Sequence, residues 1–191
     1  MRKLKLQVQI TVNGFVAKPG GELDWATWNW SDDIKTYVTE LTNSVDTILL
    51  GRKMTDGFIS HWTDYVKNKP DSEEYSFAKK MVEYSKVVFT KTLNQTGWEN
   101  TVLVKGNIVE EVNKLKNQDG KGIIVYGGAE FVSSLIKEDL IDEYYLFVNP
   151  VAIKAGLTIF DKMPDMKRLD LIESKSFDCG INLLCYKVNA G

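Results

Sequence analysis

Short apolar runs, several of them edged by glycine and separated by single stretches of helical periodicity, recur along most of this chain. That rhythm limits its fold more than any other feature. Leu4, Leu6, Val8, Ile10 and Val12 alternate with Lys5, Gln7, Gln9 and Thr11, the period-two pattern of a strand. Asn13-Gly14 follows, a pair that accepts positive φ, and Lys18-Pro19-Gly20-Gly21 marks a loop. Ser31, then Asp32 and Asp33, reads as a helix start, with Ile34, Tyr37, Val38 and Leu41 at helical spacing as far as Asn43. Asp46 to Gly51 is a buried strand feeding a helical segment from Arg52 to Ile59, and residues 60–71 read as a Trp-bearing loop. Asp71 or Ser72 caps the next helix, through Phe77, Met81 and Tyr84, and Lys86 to Thr90 and Thr101 to Val104 are strands. Asn107 and Glu110 form a capping box for a helix carrying Ile108, Val109, Val112 and Leu115. Gly122 to Tyr126 is a strand, Gly127-Gly128 a turn, Phe131, Val132, Leu135 and Ile136 a helical stripe, and Glu143 to Val148 a strand.

Strands alternating with single helices predict βαβ units, parallel pairing and right-handed crossovers. The end of the chain differs: Leu169 to Phe177 and Ile181 to Val188 are separated only by Asp178-Cys179-Gly180, the spacing of an antiparallel hairpin at a sheet margin. The expectation is one α/β domain over residues 1–191, with a mostly parallel central sheet, flanking helices and an antiparallel C-terminal hairpin.

Charge and rare residues narrow the function classes. Lys and Arg number 24 against 26 Asp and Glu, a net charge of −2, which offers no basic face for nucleic acid. No run is apolar and long enough to suggest a signal sequence or a membrane span, so the expectation is a soluble, cytoplasmic protein. Cys179 and Cys185 suit neither a disulfide framework nor a zinc ribbon. His61 is the only histidine and no Gly-x-Ser-x-Gly elbow exists, which leaves His61 a structural or surface residue and predicts no metal site.

In open α/β sheets ligands bind beyond the carboxyl ends of the strands. Three junctions there carry the right chemistry. Tyr126-Gly127-Gly128-Ala129-Glu130 lets backbone approach a pyrophosphate at a helix N-terminus. Leu50-Gly51-Arg52-Lys53 adds two cations, and Thr90-Lys91-Thr92 a cation between two hydroxyls. Each taken singly also reads as a tight turn or a solvated charge. Neither a Gly-x-Gly-x-x-Gly fingerprint nor a P-loop is present.

With these junctions, Leu140-Ile141-Asp142-Glu143-Tyr144-Tyr145-Leu146 running into Asn149-Pro150-Val151, and then Gly156-Leu157-Thr158-Ile159-Phe160, the chain resembles the dihydrofolate-reductase-like superfamily. The riboflavin-biosynthesis reductase domain is the nearer branch. The resemblance implies a three-layer dihydrofolate-reductase-like fold, NADPH as cofactor, a small pterin- or pyrimidine-like substrate and a homodimer. It assigns Gly51, Arg52, Lys53, Thr90 and Lys91 to the adenosine 2′-phosphate side, and Gly127, Gly128, Ala129 and Glu130 to the pyrophosphate. It also implies a cis Gly127–Gly128 bond. Asn13 stands where that family commonly carries an aspartate, Met54 where a threonine is frequent, and Lys154-Ala155-Gly156 where glycines are usual.

The early loop and first helix would wall the substrate, with Asn13, Asp24, Trp25, Trp28 and Trp30 as contacts, and the resemblance implies that Asp32 or Asp33 is the acid engaging it. Asp32 and Asp33 read equally as first-turn acids complementing the helix dipole, and the tryptophans as core or dimer contacts. The alternative function is a nucleotide-binding protein of the same fold without turnover, prompted by the missing aspartate at position 13 and by Lys154.

Overall fold

Strands and helices follow one another as the sequence rhythm requires: β1 (Leu4–Thr11), α1 (Asp32–Asn43), β2 (Val45–Gly51), α2 (Arg52–Asn68), α3 (Tyr75–Glu83), β3 (Ser85–Phe89), β4 (Thr101–Val104), α4 (Ile108–Lys116), β5 (Gly122–Val125), α5 (Ala129–Lys137), β6 (Glu143–Asn149), β7 (Leu169–Ser176) and β8 (Asn182–Val188). The structure is a computed structural model that describes residues 1–189. Its eight strands form one sheet in the order β4-β3-β2-β5-β1-β6-β8-β7. The strands from β4 to β6 in that order pair in parallel, and β8 and β7 add the expected antiparallel margin. No helix of the described residues is long and apolar enough to cross a membrane.

Right-handed crossovers decide where the helices go. Successive steps from β1 toward β4 place α1, α2 and α3 on one face. There Ile34 and Val38 meet Phe147 and Leu183, while Leu41 and Met81 meet Ile48, Leu50 and Val88. The return steps to β5 and β6 place α4 and α5 on the other face, where Val112, Val132, Leu135 and Ile136 cover Leu4, Leu6, Val8 and Ile10. Because β1 is central, its polar residues are also covered: Gln9 Oε1 accepts from Asn149 Nδ2 at 2.8 Å, and Thr11 Oγ1 accepts from the Phe15 N–H at 2.9 Å.

The helix boundaries depart from the sequence reading in three places. Helix α2 runs on to Asn68 through the expected loop, because Phe58, Trp62 and Tyr65 prolong its inner stripe and the Trp62 ring packs 5.3 Å from that of Phe77. Helix α3 begins at Tyr75 rather than at Asp71 or Ser72; the Ser72 hydroxyl instead accepts from the Glu74 N–H in the turn before it. Ser31 precedes α1 without capping it, its hydroxyl donating to Asp33 at 2.5 Å. Asn107 caps α4 as expected, its side-chain oxygen accepting from the Val109 and Glu110 N–H groups, but among the described residues the Glu110 side chain returns no hydrogen bond, so only the Asn107 half of the capping box forms.

Candidate active site

Since the six strands from β4 to β6 in sheet order run the same way, their carboxyl ends share one edge of the sheet, and β3, β2 and β5 are consecutive there. The three junctions singled out by sequence are therefore neighbours. Gly51 opposes Phe89 across β2 and β3. A Cβ added at Gly51 would lie 2.7 Å from Phe131 Cβ, so the bare backbone of that tip is what allows the first turn of α5 to lean against it. The Phe131 ring in turn packs 5.2 Å from that of Phe89, closing the row from β3 to α5.

Gly128 is the N-cap of α5 at φ +81, after Gly127 at φ +149, a left-handed bend that side-chain-bearing residues rarely adopt. No side chain caps α5, so its first-turn N–H groups stand free at the positive end of the helix dipole. The bend needs no cis bond: among the described residues every peptide bond is trans, which corrects the cis Gly127–Gly128 bond expected from the resemblance. Positive φ at both glycines makes the reversal instead.

The cations around this bend have carboxylate neighbours. Arg52 Nη1 lies 2.6 Å from Asp56 Oδ2, one turn along α2, and Lys53 Nζ lies 2.8 Å from Glu130 Oε2. The Lys53 hydrogen bond raises the lysine pKa and lowers that of Glu130, and it ties the N-termini of α2 and α5 together. Lys91 is exposed and enters no ion pair among the described residues. Thr90 is buried, its hydroxyl oxygen accepting from the Thr92 and Leu93 N–H groups at 3.2 and 3.1 Å. That turn leaves the hydroxyl proton free to donate.

The residues expected on the substrate side gather beyond the ends of β1 and β6. Asn13 clasps the segment after β6, donating to the Ile153 carbonyl at 2.7 Å. Asp24 is exposed and paired with Lys18 at 2.6 Å, whose hydrogen bond lowers its pKa. Trp28 stacks on Trp30 with ring centres 6.4 Å apart, and Trp30 Nε1 donates to the Thr27 carbonyl at 2.8 Å. The Trp25 indole N–H is enclosed without a partner. The two acids differ sharply. Asp32 is solvent-exposed beside Lys35, at 3.5 Å. Asp33 accepts from the Ser31 hydroxyl, from the Ile34 N–H at 2.8 Å and from the Asp178 N–H at 3.1 Å, and the Ser31 hydrogen bond leads in holding its carboxyl below the usual range. Asp33 thus fastens the start of α1 to the hairpin turn between β7 and β8.

Sequence reasoning quoted Asn149 within a motif but gave it no place in the site. Fully buried at the end of β6, it accepts from the Thr27 N–H at 2.8 Å and donates to Gln9 Oε1 and to the Phe147 carbonyl. It is the peg that holds the tryptophan loop over the β1 and β6 tips. The Asn-Pro dipeptide at a strand end was the one signal pointing to it.

Comparison with known proteins identifies a family for this chain and relatives of its fold. The sequence profile described as the RibD C-terminal domain matches residues 2–183. The chain is 32% identical over 189 residues to the uncharacterised protein YyaP of Bacillus subtilis (strain 168), covering 98% of this chain and 96% of that one. It is 26% identical to YwjB of the same organism, over 95% of this chain and 96% of the other. Among solved structures, a putative riboflavin biosynthesis protein from Shewanella sp. PV-4 superposes with a TM-score of 0.74 at 23% identity, covering 99% of both chains. A diaminohydroxyphosphoribosylaminopyrimidine deaminase/5-amino-6-(5-phosphoribosylamino)uracil reductase from Thermotoga maritima superposes with a TM-score of 0.71 at 17% identity, over 98% of this chain and 57% of that one.

Proposed function

This chain belongs to the RibD C-terminal domain family, and we propose that it is an NADPH-dependent reductase of a small pterin- or pyrimidine-like substrate, working as a cytoplasmic homodimer. The observation that carries the reading is the adjacency of three strand tips: the left-handed Gly127–Gly128 bend under an uncapped helix, flanked by Arg52 and Lys53 on one side and by Thr90 and Lys91 beyond them.

These residues fit a phosphorylated dinucleotide. The free N–H groups of α5 suit a pyrophosphate, and Arg52, Lys91 and the Thr90 hydroxyl suit a further phosphate. Bound there, NADPH supplies the hydride. Glu130 contributes through its backbone N–H, since its carboxylate faces Lys53 and a phosphate would compete with it for that cation. On the substrate side Asn149 and Asn13 hold the loops that exclude water, and Trp25 or Trp30 offers a flat face to a heterocycle. Asp33, ionised and committed to three donors, orients the wall rather than delivering a proton, which leaves that task to solvent.

The test is oxidation of NADPH in the presence of a panel of pteridines and aminopyrimidine ribosides, followed by loss of the reduced nicotinamide's absorbance. Turnover with at least one member is expected. Saturable NADPH binding with no oxidation across the panel would favour the non-catalytic alternative, for which Asn13 in place of the usual carboxylate is the supporting observation.

A further inference from the structure

A cleft of about 440 Å³ lies away from the strand tips, between α2, the end of α3 and the segment leading into β4, and its lining includes Trp62, Trp98, Met81, Asp64, Glu99 and Lys86. That volume lies within the roughly 300–1,000 Å³ usual for small-molecule sites. Lys86, on β3, is 2% exposed, and its ammonium donates to the carbonyls of Val82 at 2.6 Å, Tyr84 at 2.8 Å and Met81 at 3.3 Å. All three of its N–H donors are thereby spent on the C-terminal end of α3, whose dipole favours a positive charge. A ligand anion would find no donor there.

The remaining charged groups of the cleft are carboxylates. Asp64, on α2, and Glu99, before β4, are exposed and enter no ion pair among the described residues. Two indoles and two carboxylates that enter no ion pair outnumber the one lysine, whose donors are all committed, and so complement a positive, partly apolar guest, since an indole face attracts a cation and a carboxylate supplies the counter-charge. We propose that this cleft is a second binding site, separate from the strand-tip site, that takes a small organic cation in which an ammonium group is joined to an aromatic ring. The proposal does not depend on the reductase reading.

The experiment titrates the full chain with benzyltrimethylammonium chloride at constant ionic strength. It follows the indole N–H signals of the five tryptophans, each assigned with a Trp→Phe variant. Saturable shifts at Trp62 and Trp98 are expected, with Trp25, Trp28 and Trp30 unmoved. The double variant Asp64→Asn/Glu99→Gln should weaken binding about tenfold, and sodium benzoate should not saturate. Both substituted side chains are exposed, and unchanged backbone amide signals away from the cleft show that the variant is folded. The proposal is overturned by shifts that do not saturate, by shifts centred on the three early tryptophans, by equal affinity in the double variant, or by benzoate binding as tightly.

Discussion

Gly51 shows how one missing side chain sets a site. Gly51→Ala would bring a Cβ within 2.7 Å of Phe131 Cβ, and the parting of β2 from α5 should cost about 1–3 kcal/mol of stability in denaturant unfolding, along with weaker cofactor binding. Full stability in that variant would mean the two tips are not in contact. Lys86 offers a test by pH. Burial draws its pKa from 10.5 down to about 8. Below that value both folded and unfolded chains carry the proton and the charged amine is at its most costly. Between about 8 and 10.5 the unfolded chain binds the proton more firmly, so stability rises with pH. The stability of the wild type relative to Lys86→Met should therefore climb across that window, by on the order of 1 kcal/mol, because the three carbonyl hydrogen bonds favour the charged amine and offset part of the burial cost. A flat or falling difference would contradict the burial of a charged amine. Local chemistry made Gly127–Gly128 and Asn107 readable from sequence. Asn149 was not, because its partners are fixed by packing: it meets Thr27 across 122 positions and Gln9 across 140.

At the level of elements, strands were readable nearly to the residue, since a period of two, or a short unbroken apolar run bounded by glycine, does not suit an amphipathic helix. Helix ends were harder. Ser31 has the chemistry of an N-cap but spends its hydroxyl on Asp33, which itself answers to the distant hairpin turn at Asp178. Residues 60–68 look like a loop by composition, yet α2 continues because Trp62 has Phe77 of α3 to pack against. The α4 cap is local and should behave additively: Asn107→Ala is expected to cost about 1 kcal/mol, read from denaturant midpoints at unchanged slope. A neutral result would show that the two N–H groups it accepts from are satisfied by water.

The whole molecule gathers its candidate site at the carboxyl ends of the parallel strands and exposes two apolar side chains among the charged and polar ones of the edge strand β7. On the edge strand β7, Leu171 is 56% and Ile172 50% exposed, with Met166 nearby in sequence at 72%. If the proposed homodimer forms across this margin, light scattering after size exclusion should give twice the chain mass, and Leu171→Asp/Ile172→Asp should give the single mass; a monomeric wild type would remove the dimer. Given the strand order, crossover handedness places α1 to α3 on one face and α4 and α5 on the other, and that order, with β3, β2 and β5 consecutive, brings Gly51, Thr90 and Gly128 together although they are far apart in sequence. Calorimetric titration of NADPH and NADH into the wild type, Arg52→Glu and Lys91→Glu tests this convergence most directly. Each charge reversal should weaken NADPH at least about tenfold more than NADH, because only the former carries the extra phosphate. Equal losses for the two cofactors, or no NADPH binding by the wild type, would contradict it.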